Sequence, residues 1–147
     1  MGSQERSVVY VSEAKNHFDE RQLVELADSA AENNKSLQVT GFLHFASGRF
    51  VQYLEGDQVA VKTILEKISQ DTRHQVTATA WEQQLTKRRF PRWAMRWIRS
   101  TEMTEIKLEG MLADHVLFCV RAQLEEPKID HTISRMLMSI AKLHGRK

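Results

Sequence analysis

The sequence has few of the residues that mark specialised protein classes. Cys119 is its single cysteine among 147 residues, so an internal disulfide is excluded and we expect a reducing, cytoplasmic environment. Two prolines and six glycines are too few for a fibrous or low-complexity chain. No apolar run approaches the length that spans a bilayer, and the polar N-terminus predicts no signal peptide. These absences favour one globular domain without membrane contact.

Charge and motifs exclude further classes. The net charge of +2 is too small to indicate nucleic-acid binding by itself, although basic residues crowd into the segment 87–99. Serine-nucleophile motifs, metal-binding helix motifs and glycine-rich phosphate loops are absent from the sequence. The six histidines are scattered along the chain. We therefore expect neither an enzyme nor a metal site.

Hydrophobic periodicity predicts an α+β fold. We expect strands at 7–12, 39–45, 49–55, 75–83 and 92–99, and helices after Asp19, after Asp57, at 106–122 and at 129–144. The short connection Ala46-Ser47-Gly48 is typical of a hairpin. This order, β-α-β-β-α-β-β, predicts a ferredoxin-like sheet with two helices on one face.

The predicted strands are apolar on both faces, which implies that both faces are covered. The first two helices can cover one face, so we expect the C-terminal helices to cap the other. The corresponding division is a core at 1–100 and a C-terminal helical cap of the same domain at 101–147.

Gln52 is an uncharged amide inside an apolar strand, between Phe50 and Leu54 on one face. Leaving such a group without partners in a core costs roughly 1–3 kcal/mol. In a ferredoxin-like sheet the first and third strands are neighbours, which can place Tyr10 beside Gln52. Two interpretations follow: the two side chains bond each other, or together they bind a planar heterocycle.

Three other polar or aromatic segments are candidates. Asn33-Asn34, at the expected end of the first helix, is an ordinary C-terminal cap or a pair of ligand-binding amides. Asp71-Thr72-Arg73-His74 is a polar turn or part of a site. Simple alternation places Trp93, Met95 and Trp97 on one strand face, either as core and edge or as a nucleic-acid stacking surface.

These segments together resemble the BLUF family of blue-light sensors that use FAD. The similarity runs from about Val8 to Trp97. Its motifs are Val9-Tyr10-Val11-Ser12, Asn33-Asn34, Val39-Thr40-Gly41, Gly48-Arg49-Phe50-Val51-Gln52-Tyr53-Leu54-Glu55-Gly56, Asp71-Thr72-Arg73-His74 and Phe90-Pro91-Arg92-Trp93-Ala94-Met95. Each motif is weak alone, but their number and order are specific.

The resemblance implies a noncovalent flavin between the first two helices, usually FAD, with FMN or riboflavin as alternatives. It implies that Tyr10 donates an electron and a proton, and that Gln52 rotates or tautomerises in response. Asn34 would hold the pyrimidine edge of the flavin ring. The full set of expected cofactor-binding residues is Tyr10, Asn33, Asn34, Phe50, Gln52, Lys67, Asp71, His74 and Met95.

Trp93 and Met95 are both expected to be photoactive by resemblance. Alternation alone leaves open which of them approaches Gln52 in the dark, and a bulge in this strand would decide it.

The resemblance also implies how the signal leaves the domain. Short members of the family signal in trans to a partner protein or through a change in oligomer, so we expect a bacterial homo-oligomer with an unidentified protein partner. The alternative is a ferredoxin-like RNA-binding module using the basic segment 87–99. It is disfavoured because it gives Gln52 and Asn34 no role. A third possibility, an acylphosphatase, lacks the arginine-bearing loop after the first strand.

Overall fold

The computed structural model describes residues 4–98, 108–122 and 128–144. Within them the chain forms a five-stranded sheet and four helices. The strands are β1 (Glu5–Ala14), β2 (Thr40–Ala46), β3 (Arg49–Asp57), β4 (His74–Glu82) and β5 (Ala94–Ile98), and the helices are α1 (Glu20–Ser36), α2 (Gln58–Ser69), α3 (Leu108–Arg121) and α4 (His131–His144). The predicted ferredoxin-like α+β fold is confirmed.

The strands lie in the order β4-β1-β3-β2-β5. The two central strands, β1 and β3, pair antiparallel with Tyr10 directly opposite Gln52. Strand β5 joins the edge beside β2 and runs parallel to it. This register places the phenol and the amide on the same face of the sheet.

Local sequence signals fix the ends of several elements. Asp19 caps α1 in a capping box with Gln22, and Asp57 caps α2 by accepting the backbone N–H of Val59. In the β2–β3 hairpin, Ser47 and Gly48 have φ angles of 54° and 76°. Two successive positive φ angles are characteristic of the tight turn whose twist matches that of the flanking strands.

Helices cover both faces of the sheet. Under α1 and α2 lies a cluster that includes Val8, Phe50 and Leu54. Val9 and Tyr53, which point the other way, are buried in a second cluster with residues of α3 and α4. In the described part of the chain, both faces of the sheet are therefore covered, whereas the RNA-binding alternative requires an open face.

Glu55 joins the sheet to the connection between β4 and β5. Its side chain is fully buried, and one carboxylate oxygen accepts the hydroxyl of Tyr53 at 2.9 Å and the backbone N–H of Arg89 at 2.8 Å. The other oxygen accepts the hydroxyl of Thr40 at 2.9 Å and the backbone N–H of Phe90 at 2.8 Å. Two backbone donors thus hold this connection to Glu55 a few residues before β5 begins, while two hydroxyls of the sheet hold the carboxylate in place.

A β-bulge interrupts the pairing of β5 with β2. Gly41 pairs with Ala94, but the next residue, Phe42, pairs with Arg96. Met95 is the extra residue and has a φ angle of 92°. Alternation along this strand therefore breaks at Met95.

None of the helices in 4–98, 108–122 and 128–144 combines the length and apolarity that a membrane span requires.

Candidate functional site

A cleft opens between α1 and α2 above the central strands. It contains about 660 Å³ of atom-free space, a volume that includes open solvent at its mouth. Its walls are largely apolar, with a few polar groups at the base and mouth. The lining residues are Tyr10, Phe18, Leu26, Ala30, Asn33, Asn34, Leu43, Phe50, Gln52, Ile64, Lys67, Ile68, Asp71, Arg73 and His74.

Tyr10 and Gln52 form the base of the cleft and are both buried. The hydroxyl of Tyr10 donates a hydrogen bond to Oε1 of Gln52. Burial, together with the negative charge of Asp71, raises the pKa of Tyr10 far above its usual value. The phenol therefore stays protonated and available as a donor at neutral pH.

The other end of the Gln52 amide contacts Met95. Nε2 of Gln52 donates to the sulfur of Met95 at 3.1 Å. Trp93 lies with the α3 and α4 cluster, its ring 4.9 Å from that of Phe90, whereas Met95 is buried in the α1 and α2 cluster. The prediction that Trp93 and Met95 share a face is wrong because the bulge reverses alternation between them.

Asn34 carries an unusual buried polar group. Its side chain lies in the cleft wall with 1% of its surface exposed, and Nδ2 has no hydrogen-bond partner in the part of the chain that the structure describes. The capping interpretation of Asn33-Asn34 is wrong, since α1 continues to Ser36 and the backbone N–H of Leu37 closes it onto the carbonyl of Asn33. A buried amide donor beside the cleft suits a ligand with a matching acceptor.

Charged residues stand at the mouth of the cleft. Arg73 binds Asp71 through both carboxylate oxygens, with a shortest N–O distance of 2.6 Å. These hydrogen bonds lower the pKa of Asp71 to about 2, although partial burial opposes the shift. Lys67 is exposed beside them. The mouth thus combines two cations with one carboxylate.

His74 is held on both sides of its ring. Nδ1 lies 2.8 Å from the hydroxyl of Ser12, and Nε2 lies 2.9 Å from the carbonyl oxygen of Ile68. Its ring is also 5.9 Å from that of Phe50, edge to face. These contacts make His74 a fixed wall of the cleft.

The structure brings together most of the residues expected from the sequence. Eight of them line the cleft: Tyr10, Asn33, Asn34, Phe50, Gln52, Lys67, Asp71 and His74. Met95 is absent from the lining and lies behind Gln52 instead. Sequence reasoning missed Phe18, which is in a connection without periodicity, and Arg73, whose pairing with Asp71 depends on a turn that the sequence does not specify.

Comparison with known proteins gives consistent matches. The family model for BLUF, "Sensors of blue-light using FAD", matches residues 6–96. The subunit beta of a photoactivated adenylate cyclase from Euglena longa is 32% identical over 85 residues, which are 58% of this chain and 10% of that protein. The alpha subunit from Euglena gracilis is 38% identical over 68 residues, 46% of this chain and 7% of that protein.

Among solved structures, the dark state of the BLUF protein BlrB superposes with a TM-score of 0.63 and 26% identity. This match covers 83% of the present chain and 98% of BlrB. A bacterial light-regulated adenylyl cyclase gives a TM-score of 0.64 with 27% identity, covering 81% of this chain and 35% of that one. The chain thus spans about a tenth of the curated relatives it matches.

Proposed function

The chain belongs to the BLUF family, and from that premise we propose that it binds FAD noncovalently between α1 and α2 and senses blue light through Tyr10 and Gln52. The observation that carries the proposal is the linear set of hydrogen bonds from Tyr10 through Gln52 to Met95 at the base of the cleft. Each member is buried, so solvent does not compete for these bonds.

The unpartnered Nδ2 of Asn34 supports a ring ligand with an acceptor at its edge. Flavins offer carbonyl oxygens on their pyrimidine ring, and an amide donor inside an otherwise apolar cleft can select such an edge. Asn33, which is exposed nearer the mouth, adds a second amide. The residues present therefore fit the proposed cofactor.

When bound, FAD would supply the absorption of blue light and the electron-accepting chemistry. Tyr10 would be the residue that gives up an electron and its hydroxyl proton and regains both in the dark, so that no net turnover would result. Gln52 rotates or tautomerises, which exchanges the donor and acceptor ends of its amide. The group that faces Met95 would then change its hydrogen-bonding role, and this change would be passed to β5.

The mouth of the cleft favours a phosphorylated flavin. Lys67 and Arg73 can contact a phosphate-bearing tail, whereas riboflavin has no phosphate for them to bind. FAD is therefore preferred over riboflavin, with FMN as the alternative.

The test is an absorption spectrum of the purified protein in the dark and under blue light. We expect a flavin spectrum that shifts to the red in light and recovers in the dark. Tyr10→Phe should bind flavin but lose the shift, and Gln52→Leu should lose it because the amide is gone. A chain that cannot be loaded with flavin, or an unchanged photocycle in Tyr10→Phe, would refute the proposal.

For the output, we propose a non-catalytic sensor, with a photosensory core at 1–100 and a C-terminal cap, that signals to a separate protein or through self-association. The exposed apolar side chains of Met111, Phe118 and Met138 on α3 and α4 support a contact surface there. Light scattering in dark and light tests self-association. An unchanged mass together with unchanged partner binding would contradict this part.

A further inference from the structure

Three potential metal ligands meet where α3 passes the start of α4. Nε2 of His115 lies 3.1 Å from Oδ2 of Asp130. The sulfur of Cys119 lies 3.7 Å from the same nitrogen. All three ligand atoms are within 4.8 Å of one another.

The backbone fixes these side chains independently of any ion. His115 and Cys119 are four residues apart on α3 and so share one helix face. Asp130 directly precedes α4 and uses Oδ1 to accept the backbone N–H of Ile133 at 2.8 Å. Its second oxygen is left to face His115, so the site needs no rearrangement of either helix.

The two distances from the His115 nitrogen suit a tetrahedral ion. Zinc bonds to nitrogen, oxygen and sulfur of about 2.0 to 2.3 Å imply tetrahedral ligand separations of roughly 3.3 to 3.6 Å. The separations of the His115 nitrogen from the Asp130 oxygen and from the Cys119 sulfur, 3.1 and 3.7 Å, lie close to this range, and all three ligand atoms lie within 4.8 Å of one another. A thiolate ligand also selects zinc over magnesium or calcium, which prefer oxygen.

Hydrogen bonds alone cannot pair all three of these side chains. The Nε2 atom of His115 holds either one hydrogen or one lone pair, so it can bond well to Asp130 or to Cys119 but not to both. A divalent cation resolves this conflict, since it accepts one electron pair from each of the three side chains.

We propose that His115, Cys119 and Asp130 form a Zn²⁺ site that joins α3 to α4 and keeps a fourth position for water. The side chain of Asp130 is 46% exposed, which leaves a route for the ion from solvent. Helix α3 packs on the sheet face opposite the cleft, so this site is separate from the proposed flavin site. The scattered histidines gave no sign of it, because the third ligand, Asp130, lies outside α3, just before α4.

The test uses the full chain without a polyhistidine tag, titrated with Co²⁺ and then Zn²⁺. We expect saturation at one equivalent, with cobalt ligand-field bands at wavelengths longer than those at which flavin absorbs, and displacement of cobalt by zinc. Zinc should also raise the melting temperature, because it binds the folded chain.

Variants of the three proposed ligands distinguish zinc binding at this site from zinc binding elsewhere on the chain. Cys119→Ser, His115→Gln and Asp130→Asn should each weaken zinc binding at least tenfold, and asparagine at position 130 can still cap α4. His17→Gln removes an exposed histidine outside the cluster and should bind zinc like the parent. Failure to saturate at one equivalent, or parental affinity in Cys119→Ser, would overturn the proposal. Both readouts are independent of light and flavin.

Discussion

The amide nitrogen of Gln52 on β3 reaches across β2 to donate to the sulfur of Met95 on β5 at 3.1 Å. This contact favours one orientation of the Gln52 amide, because sulfur accepts a hydrogen bond from the NH₂ group but has no proton to donate to the carbonyl oxygen. Met95 thereby holds the orientation in which Gln52 accepts from Tyr10.

Met95→Leu should therefore reduce the light-induced absorption shift. Without the sulfur acceptor, part of the dark population already carries the rotated amide, so the difference between dark and light spectra shrinks. The size of the shift at saturating light is the measurement. Trp93→Phe is the matched control, because Trp93 lies on the opposite face, and its shift should equal that of the parent. A reduction in Trp93→Phe with a full shift in Met95→Leu would contradict this assignment.

Asn34→Leu should stabilise the flavin-free protein and weaken flavin binding. Its unpartnered Nδ2 destabilises the flavin-free protein, so an apolar side chain of similar size should raise the free energy of unfolding by about 1 kcal/mol. Flavin affinity should fall by about tenfold through loss of one hydrogen bond. Urea unfolding and flavin fluorescence measure the two effects. Asn33→Leu, at an exposed position, should leave stability nearly unchanged. Equal affinity in Asn34→Leu and the parent would remove Asn34 from the site.

Alkali should unfold the chain before its tyrosines titrate. The chain has two tyrosines, and burial raises the pKa of both Tyr10 and Tyr53. Their stabilisation is complete below the unfolded pKa of about 10, and above it stability falls by about 1.4 kcal/mol per pH unit for each tyrosine. In the flavin-free chain, tyrosinate absorption should therefore rise together with loss of the far-ultraviolet circular dichroism. A gradual rise near pH 10 in the folded protein would contradict this.

Glu55→Gln should strongly destabilise the fold. The substitution preserves size but replaces one acceptor oxygen with an NH₂ group that faces two of the four donors. A backbone N–H then loses its acceptor while the neighbouring hydroxyl turns to accept from the NH₂ group, at a cost of about 2–3 kcal/mol. The free energies of unfolding of Glu55→Gln and Glu66→Gln should be compared by chemical denaturation. Glu66 is an exposed residue of α2 and serves as the control. Similar stability of the two variants would show that the connection before β5 does not depend on this carboxylate.

Two glycines should respond very differently to alanine. At Gly41, with a φ angle of 150°, a Cβ would overlap the carbonyl oxygen of Tyr53 on the paired strand. Gly41→Ala should cost several kcal/mol, on the order of the largest single-residue effects. Gly48 has a φ angle of 76° and open space around it, so Gly48→Ala should cost only about 1–2 kcal/mol. Equal melting temperatures for the two variants would show that β2 can shift to make room.

The sequence predicted those parts of the molecule that depend on periodicity. Alternation in β1 and β3 placed Tyr10 and Gln52 on one face, and the ferredoxin-like order made them neighbours. The bulge at Met95 was not predictable, because it depends on how β5 pairs with β2 rather than on local preference. The cluster at His115, Cys119 and Asp130 likewise depends on tertiary contact between helices.

Strand β5 has consequences for local opening. It has five residues, a bulge at its second position and one neighbouring strand among the described residues. Its amides should exchange with deuterium sooner than those of β1 and β3, which are paired on both sides. Tyr10 and Gln52 thus lie on the strands expected to open most slowly. Met95, whose sulfur accepts from Gln52, lies on β5, which we expect to open at a lower free-energy cost.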